Sequence, residues 1–171
     1  MSTFALPQKF QNWINKRNWG LHTHQIDVLT NSDRKSQLLI APTGSGKTLS
    51  GFLPTLIELD RVNFSGLHTV YVSPLKALAA DIKRNLMIPI EEMGLNIKVE
   101  DRTGDTTAKT KRRQRIDPPQ ILLTTPESLA LLISFPEANA LFANLERIII
   151  DEIHALVENK RGHQLLLCLL Y

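Results

Sequence analysis

IAPTGSGKT, residues 40–48, stands between a short apolar run, SQLLIA (36–41), and a stretch with helical spacing, KTLSGFLPTLIELD (47–60). A strand, a glycine-rich turn and a helix in that order form the local frame of a phosphate-binding loop. Gly44 and Gly46 let backbone N–H groups turn toward phosphate oxygens, and Thr43 and Ser45 belong to the same turn. Lys47 offers a cation to the outer phosphates, and Thr48 offers a hydroxyl to Mg²⁺. The helix that starts here adds the positive end of its dipole. Ala41 occupies the motif's first position, where glycine is usual, but leaving the strand there requires only a small side chain. A glycine–serine turn that merely precedes a helix is the alternative; GKT in register behind an apolar strand favours the phosphate reading.

Outward from this loop the chain alternates. KFQNWINKRN and HTHQIDVLTN have helical spacing, and LHTVYVS (67–73) reads as the next strand. LKALAADIKRNLMIPIEEMG reads as a long helix weakened near Pro89, and NIKVED (96–101) as a third strand. QILLTT (120–125) and LERIIID (145–151) are strands four and five, with the helical PESLALLIS between them. Strands separated by helices predict an α/β fold with a mostly parallel sheet flanked by helices, its strands buried on both faces. ILLTT and RIIID have the unbroken apolar look that this requires.

RIIIDEIH places Asp151 and Glu152 directly after three isoleucines. Two adjacent carboxylates at such a strand end also suit a helix cap or a solvated pair. Together with the phosphate loop, they suit a metal-holding carboxylate, Asp151, and a group that orients or deprotonates the attacking water, Glu152.

APTGSGKT, SPLKALA (73–79), TTPES (124–128) and DEIH (151–154), in this order, resemble the first RecA-like domain of superfamily 2 DExH-box helicases. SPLKALAADIKRNL, DRTGDT and ILLTTPESLALLIS are similar to the large helicase-related family, and most like its ligase-associated bacterial branch. The resemblance covers residues 8 to 165. It implies a three-layer RecA-like P-loop NTPase domain over 1–171. Residues 1–35 would form an N-terminal helical region and 36–171 the P-loop core. It also implies that Gln25 reads the adenine edge, although His24 stands where the family favours an aromatic residue. Gln25 as a solvated helix residue remains open, as does Trp19 as either a base-packing ring or a core anchor. Ser73 and Lys76 correspond to contacts with the sugar-phosphate backbone of the tracked strand. Arg102, Thr103, Gly104 and Asp105 correspond to a second contact, and Thr125, Pro126 and Glu127 to a third, at a helix N-terminus. TTPES is equally an ordinary N-cap with proline in the first turn. His154 corresponds to the residue that couples nucleotide state to strand grip; a satisfied polar histidine is the alternative.

With 171 residues, 43% hydrophobic and 22% charged, the chain fits one globular domain. Its net charge of +3 permits a polyanionic partner without requiring one. KTKRRQR (109–115) is the one basic cluster, either a solvated helix face or a nucleic-acid contact. The single cysteine, Cys168, excludes an internal disulfide framework, and no histidine is spaced with it to suggest zinc. MSTFALPQKFQNW lacks a signal-peptide pattern and no stretch is long enough to span a membrane, so a cytoplasmic location is expected.

The resemblance thus implies the ATP-binding domain of an ATP-dependent helicase or translocase. It would bind single-stranded nucleic acid, DNA before RNA, with a repair role beside ligase-associated factors. A binding module without turnover and another superfamily 2 translocase are the alternatives. In the family, a second RecA-like domain supplies arginines worth roughly a thousandfold in rate, and none is present here. The family also continues past DEIH to a Ser-Ala-Thr-like motif on a strand that inserts between those ending at Ala41 and Asp151. The chain's last residues, GHQLLLCLLY, precede that motif. The expectation is therefore an incomplete sheet with two apolar edges, unstable and nearly inactive in isolation.

Overall fold

The computed structural model describes residues 5–32, 34–42 and 44–170. It divides into two compact units, residues 1–63 with 86–96, and residues 64–85 with 97–171.

The first unit is helical. α1 (Gln8–Lys16) buries Phe10, Trp13 and Ile14, and α2 (Thr23–Thr30) buries Gln25 and Leu29. α2 packs on α3 (Lys47–Arg61), whose buried face carries Phe52, Leu53, Leu56 and Ile57. Pro54 and Thr55 between them are buried as well, so α3 is enclosed on more than one face, whereas α1 buries a single stripe at three- and four-residue spacing. Residues 36–41, expected as a strand, form none. A parallel strand is held by ladder bonds to neighbours, and no described strand pairs with this segment. Leu38 and Ile40 are 73% and 86% exposed.

The second unit is built on four parallel strands, β1 (Thr69–Val72), β2 (Val99–Arg102), β3 (Ile121–Thr124) and β4 (Arg147–Ile150). Their spatial order is β2-β3-β1-β4. β1 and β3 are the inner strands, buried at every position. RIIID was expected to be buried on both faces, but β4 is only half-buried because it has a strand neighbour on one side alone. Leu67, Val70, Val72 and Leu122 of the sheet region form a core with Leu129 and Leu132 of α6 (Pro126–Ile133) and Leu165 of α8 (Lys160–Leu169). α4 (Lys76–Glu92) runs unbroken through Pro89, where the sequence suggested weakening. α5 (Ala108–Ile116) and α7 (Ala138–Phe142) complete the helices. No described helix is long and apolar enough to cross a membrane.

Register positions the chemistry. Val72 is level with Thr124 and with Ile150, and Thr124 is level with Arg102. The next residue of each strand is therefore Thr103, Thr125, Ser73 or Asp151, and these four stand in one row at the carboxyl edge of the sheet. That edge is where open α/β sheets bind ligands.

Candidate nucleotide and nucleic-acid site

The phosphate loop lies in the first unit. Gly44 and Gly46 both adopt left-handed backbone, φ 78° and 79°, and Gly46 is the N-cap of α3. The Lys47 ammonium donates to the carbonyls of Ala41 (2.8 Å) and Pro42 (3.0 Å), folding over its own loop. The Ser45 hydroxyl donates to the Pro42 carbonyl at 2.7 Å. Thr48 lies one position further along the first turn of α3. Thr43 lies outside the described residues.

Gln25 is 4% exposed, and its amide is already engaged. Oε1 accepts the His22 backbone N–H at 2.9 Å, and Nε2 donates to the Gly46 carbonyl at 3.4 Å. The glutamine therefore braces the phosphate loop from α2. His24 stacks on His22 with ring centres 5.4 Å apart, so the position next to Gln25 does present a flat ring, an imidazole. Trp19 is half-exposed and meets Trp13 edge-to-face at 5.6 Å, and the Arg17 guanidinium lies 4.8 Å from its ring centre. Arg17 also pairs with Glu92, which accepts the Trp13 indole N–H at 2.7 Å.

The DEIH residues lie in the second unit. The Asp151 N–H continues the ladder to the Val72 carbonyl at 2.9 Å. Its Oδ1 accepts the Glu152 N–H at 2.9 Å, and its Oδ2 accepts the Tyr71 hydroxyl. Burial, and then the adjacent Asp151 carboxylate, push the Tyr71 hydroxyl far above its ordinary range, so it is a donor at any physiological pH. Glu152 is one of two described non-glycine residues with positive φ (48°) and opens a short 3₁₀ turn, Ile153–Ala155. Strained backbone of this kind gathers at working sites. The His154 ring, largely exposed, sits 3.3 Å from the Glu152 carboxylate.

The edge row carries the remaining positions. Ser73, Thr103 and Thr125 are buried; Lys76, Gly104 and Asp105 reach solvent. The Lys76 ammonium meets the Asp105 carboxylate at 2.9 Å, joining the start of α4 to the turn after β2. The Thr125 hydroxyl accepts the Ser128 N–H and caps α6, with Pro126 in the first turn. Glu127 forms a two-pronged pair with Arg161 of α8, and that guanidinium holds its carboxyl below the usual range. Arg102, grouped with these from sequence, is 3% exposed and faces inward. Its guanidinium donates to the Lys111 carbonyl at 2.8 Å and to Gln114 Oε1 at 3.3 Å, anchoring α5.

Much of the basic cluster is locally paired: Arg113 with Glu100 and Asp117, Arg115 over the Phe135 ring at 3.9 Å, and Lys111 on the Gly104 carbonyl. Tyr71 and Arg161 escaped the sequence reading. A hydroxyl-bearing ring within the buried run TVYV signals a partner requirement, because buried phenols usually find one. Nothing near KRG marks Arg161 in advance.

A four-stranded parallel sheet flanked by helices, with an acidic turn following its last strand, is the architecture of a RecA-like domain. The DEAD/DEAH box helicase model matches residues 22–170, so the chain belongs to that family. The ATP-dependent helicase Lhr-Core of Methanocaldococcus jannaschii is 44% identical over 150 residues, 79% of this chain and 18% of the relative. The Lhr helicase/uracil glycosylase of Escherichia coli is 41% identical over 151 residues, 77% of this chain and 10% of the relative. The chain thus spans under a fifth of the length of these relatives. Among solved structures, Mycobacterium smegmatis helicase Lhr bound to ssDNA and AMP-PNP superimposes with a TM-score of 0.85 at 37% identity. That match covers 95% of this chain and 22% of that one.

Proposed function

We propose that residues 1–171 are the first RecA-like domain of an ATP-dependent helicase or translocase that moves on single-stranded DNA in the cytoplasm, with residues 1–35 as its helical entry and 36–171 as its P-loop core. The observation that carries the reading is the register row. It aligns Asp151 with Ser73, Thr103 and Thr125 on one sheet edge, so the carboxylate assigned here to the metal and three residues assigned to the strand share one element.

In this reading Gly44, Ser45, Gly46 and Lys47 bind the phosphates, with Thr43 as a further loop position, and Gln25 holds the loop while presenting its remaining amide capacity to adenine. Trp19 offers a half-exposed ring to the base. Thr48 and Asp151 are the oxygen donors for Mg²⁺. Both are hard ligands, and Mg²⁺ favours one or two carboxylates with water completing its shell. Asp151 suits this, since each oxygen accepts one hydrogen bond and retains lone-pair capacity. When bound, the metal neutralises charge on the phosphates. Glu152 takes the proton of the attacking water, and His154 carries the change to the strand contacts. Ser73, Lys76, Thr103, Gly104, Asp105, Thr125, Pro126 and Glu127 hold the sugar-phosphate backbone without reading bases; Arg102 supports them by anchoring α5. A second RecA-like domain supplies the stabilising arginines.

DNA is favoured over RNA by the ssDNA-bound relative at 37% identity. A relative whose name joins helicase to uracil glycosylase supports a repair setting, and the SPLKALAADIKRNL wording supports ligase-associated partners.

The test is strand-stimulated ATP turnover by the full-length protein with Lys47→Ala and Glu152→Gln variants. Lys47→Ala should lose nucleotide binding, and Glu152→Gln should bind nucleotide and strand but turn over at least about a hundredfold more slowly. Undiminished turnover in Glu152→Gln, or no turnover in the parent protein, refutes the reading.

A further inference from the structure

Tyr71 lies at the centre of the sheet, on β1 between β3 and β4, and is 2% exposed. A phenylalanine would fill the same volume without burying a hydroxyl, and burying a hydroxyl is costly unless it is bonded. Here the hydroxyl donates to Asp151 Oδ2 while the Glu152 N–H holds Oδ1 at 2.9 Å. One donor on each oxygen fixes the rotation of the carboxylate. Val70 and Val72 point to the opposite face from Tyr71, whereas Ser73, two residues on, shares its face. The Ser73 hydroxyl turns into its own loop, donating to the Leu75 carbonyl at 3.3 Å. One phenol therefore shares a face of β1 with a candidate strand contact and bonds the carboxylate assigned to the metal.

We propose that Tyr71 is a positioning residue for Asp151: from the strand that ends in Ser73, its hydroxyl sets the orientation in which the carboxylate meets the metal. The proposal rests on the assignment of Asp151 above. Partners that orient a metal's ligands typically contribute ten- to hundredfold to metal affinity. A merely structural Tyr71 would affect folding and nucleotide affinity whether or not metal is present.

The experiment measures binding of a fluorescent, non-hydrolysable ATP analogue to the full-length protein, with Mg²⁺ and with EDTA. A direct Mn²⁺ titration by electron paramagnetic resonance runs in parallel. For Tyr71→Phe, the affinity for Mn²⁺ and for the Mg²⁺–nucleotide should fall about tenfold, with binding in EDTA unchanged. Unchanged metal affinity, or an equal loss with and without metal, overturns the proposal. Asp151→Asn separates the two levels. If it keeps full metal affinity, the Asp151 assignment fails and the proposal falls with it; if it loses metal while Tyr71→Phe does not, only the positioning role fails.

Discussion

The two left-handed glycines of the phosphate loop invite a paired substitution, Gly44→Ala and Gly46→Ala. Both force alanine into a conformation that costs an L-residue about 1–2 kcal/mol. Their surroundings differ. A Cβ at Gly44 meets nothing within 4 Å, whereas a Cβ at Gly46 would sit 2.8 Å from Gln25 Nε2. That contact is too short, so the amide must move. Gln25 is buried, and moving it endangers the 2.9 Å bond from the His22 N–H as well as the bond to the Gly46 carbonyl. Leaving a buried polar group poorly paired costs about 1–3 kcal/mol. Gly46→Ala should therefore be about 1–2 kcal/mol more destabilising than Gly44→Ala. With a urea slope of about 2 kcal/mol/M, the two midpoints should differ by roughly 0.5–1 M. Adding Gln25→Ala closes a double-mutant cycle in which most of that difference disappears. Equal midpoints for the two glycine variants, or no coupling to Gln25, would show that the glutamine does not brace the loop.

Two further outcomes follow from the second unit. A Cβ at Gly162 would lie 1.8 Å from the Leu156 carbonyl oxygen, so Gly162→Ala must displace backbone. A loss of about 3 kcal/mol is expected in urea unfolding; a loss near zero refutes this packing. The Arg161–Glu127 pair has a pH signature, because Glu127 is depressed below 4.5 in the folded state by Arg161. Its contribution is complete above that value and is lost as pH falls through the folded value. The stability difference between the parent protein and Arg161→Gln should be flat near neutrality and shrink in acid, small throughout because both side chains are partly exposed. A difference that grows on acidification contradicts the assignment.

Unbroken apolar runs carried most of the fold: TVYV and ILLT are inner strands because nothing polar interrupts them except groups that pair within the sheet. SQLLIA has the same appearance and forms no strand, since strand formation depends on a neighbour that local composition cannot encode. RIII shows the same dependence, with its burial set by end position in the sheet. The turn at Gly44 and Gly46 and the strand-end position of Asp151 were readable, because left-handed backbone favours glycine and an apolar run ends where charge begins. An arginine in RTGD reads as a phosphate contact, whereas the inward turn of the Arg102 guanidinium toward Lys111 and Gln114 is set by packing that no local pattern encodes. From sequence Gln25 reads as facing adenine or solvent; its amide turns to the His22 N–H and the Gly46 carbonyl, a choice set by tertiary packing.

The register row also has a mechanical consequence. β1 is laddered on both sides, to β3 and to β4, over the same four residues. A pull on the carboxyl end of β1, directed along the strand, would load both ladders in shear, so that their bonds share the load instead of parting one at a time. A contact at the end of β2, laddered only to β3, would yield sooner. Force entering the sheet at the end of β1 is therefore spread over two ladders, and the turn after β2 is the more compliant point of the same edge.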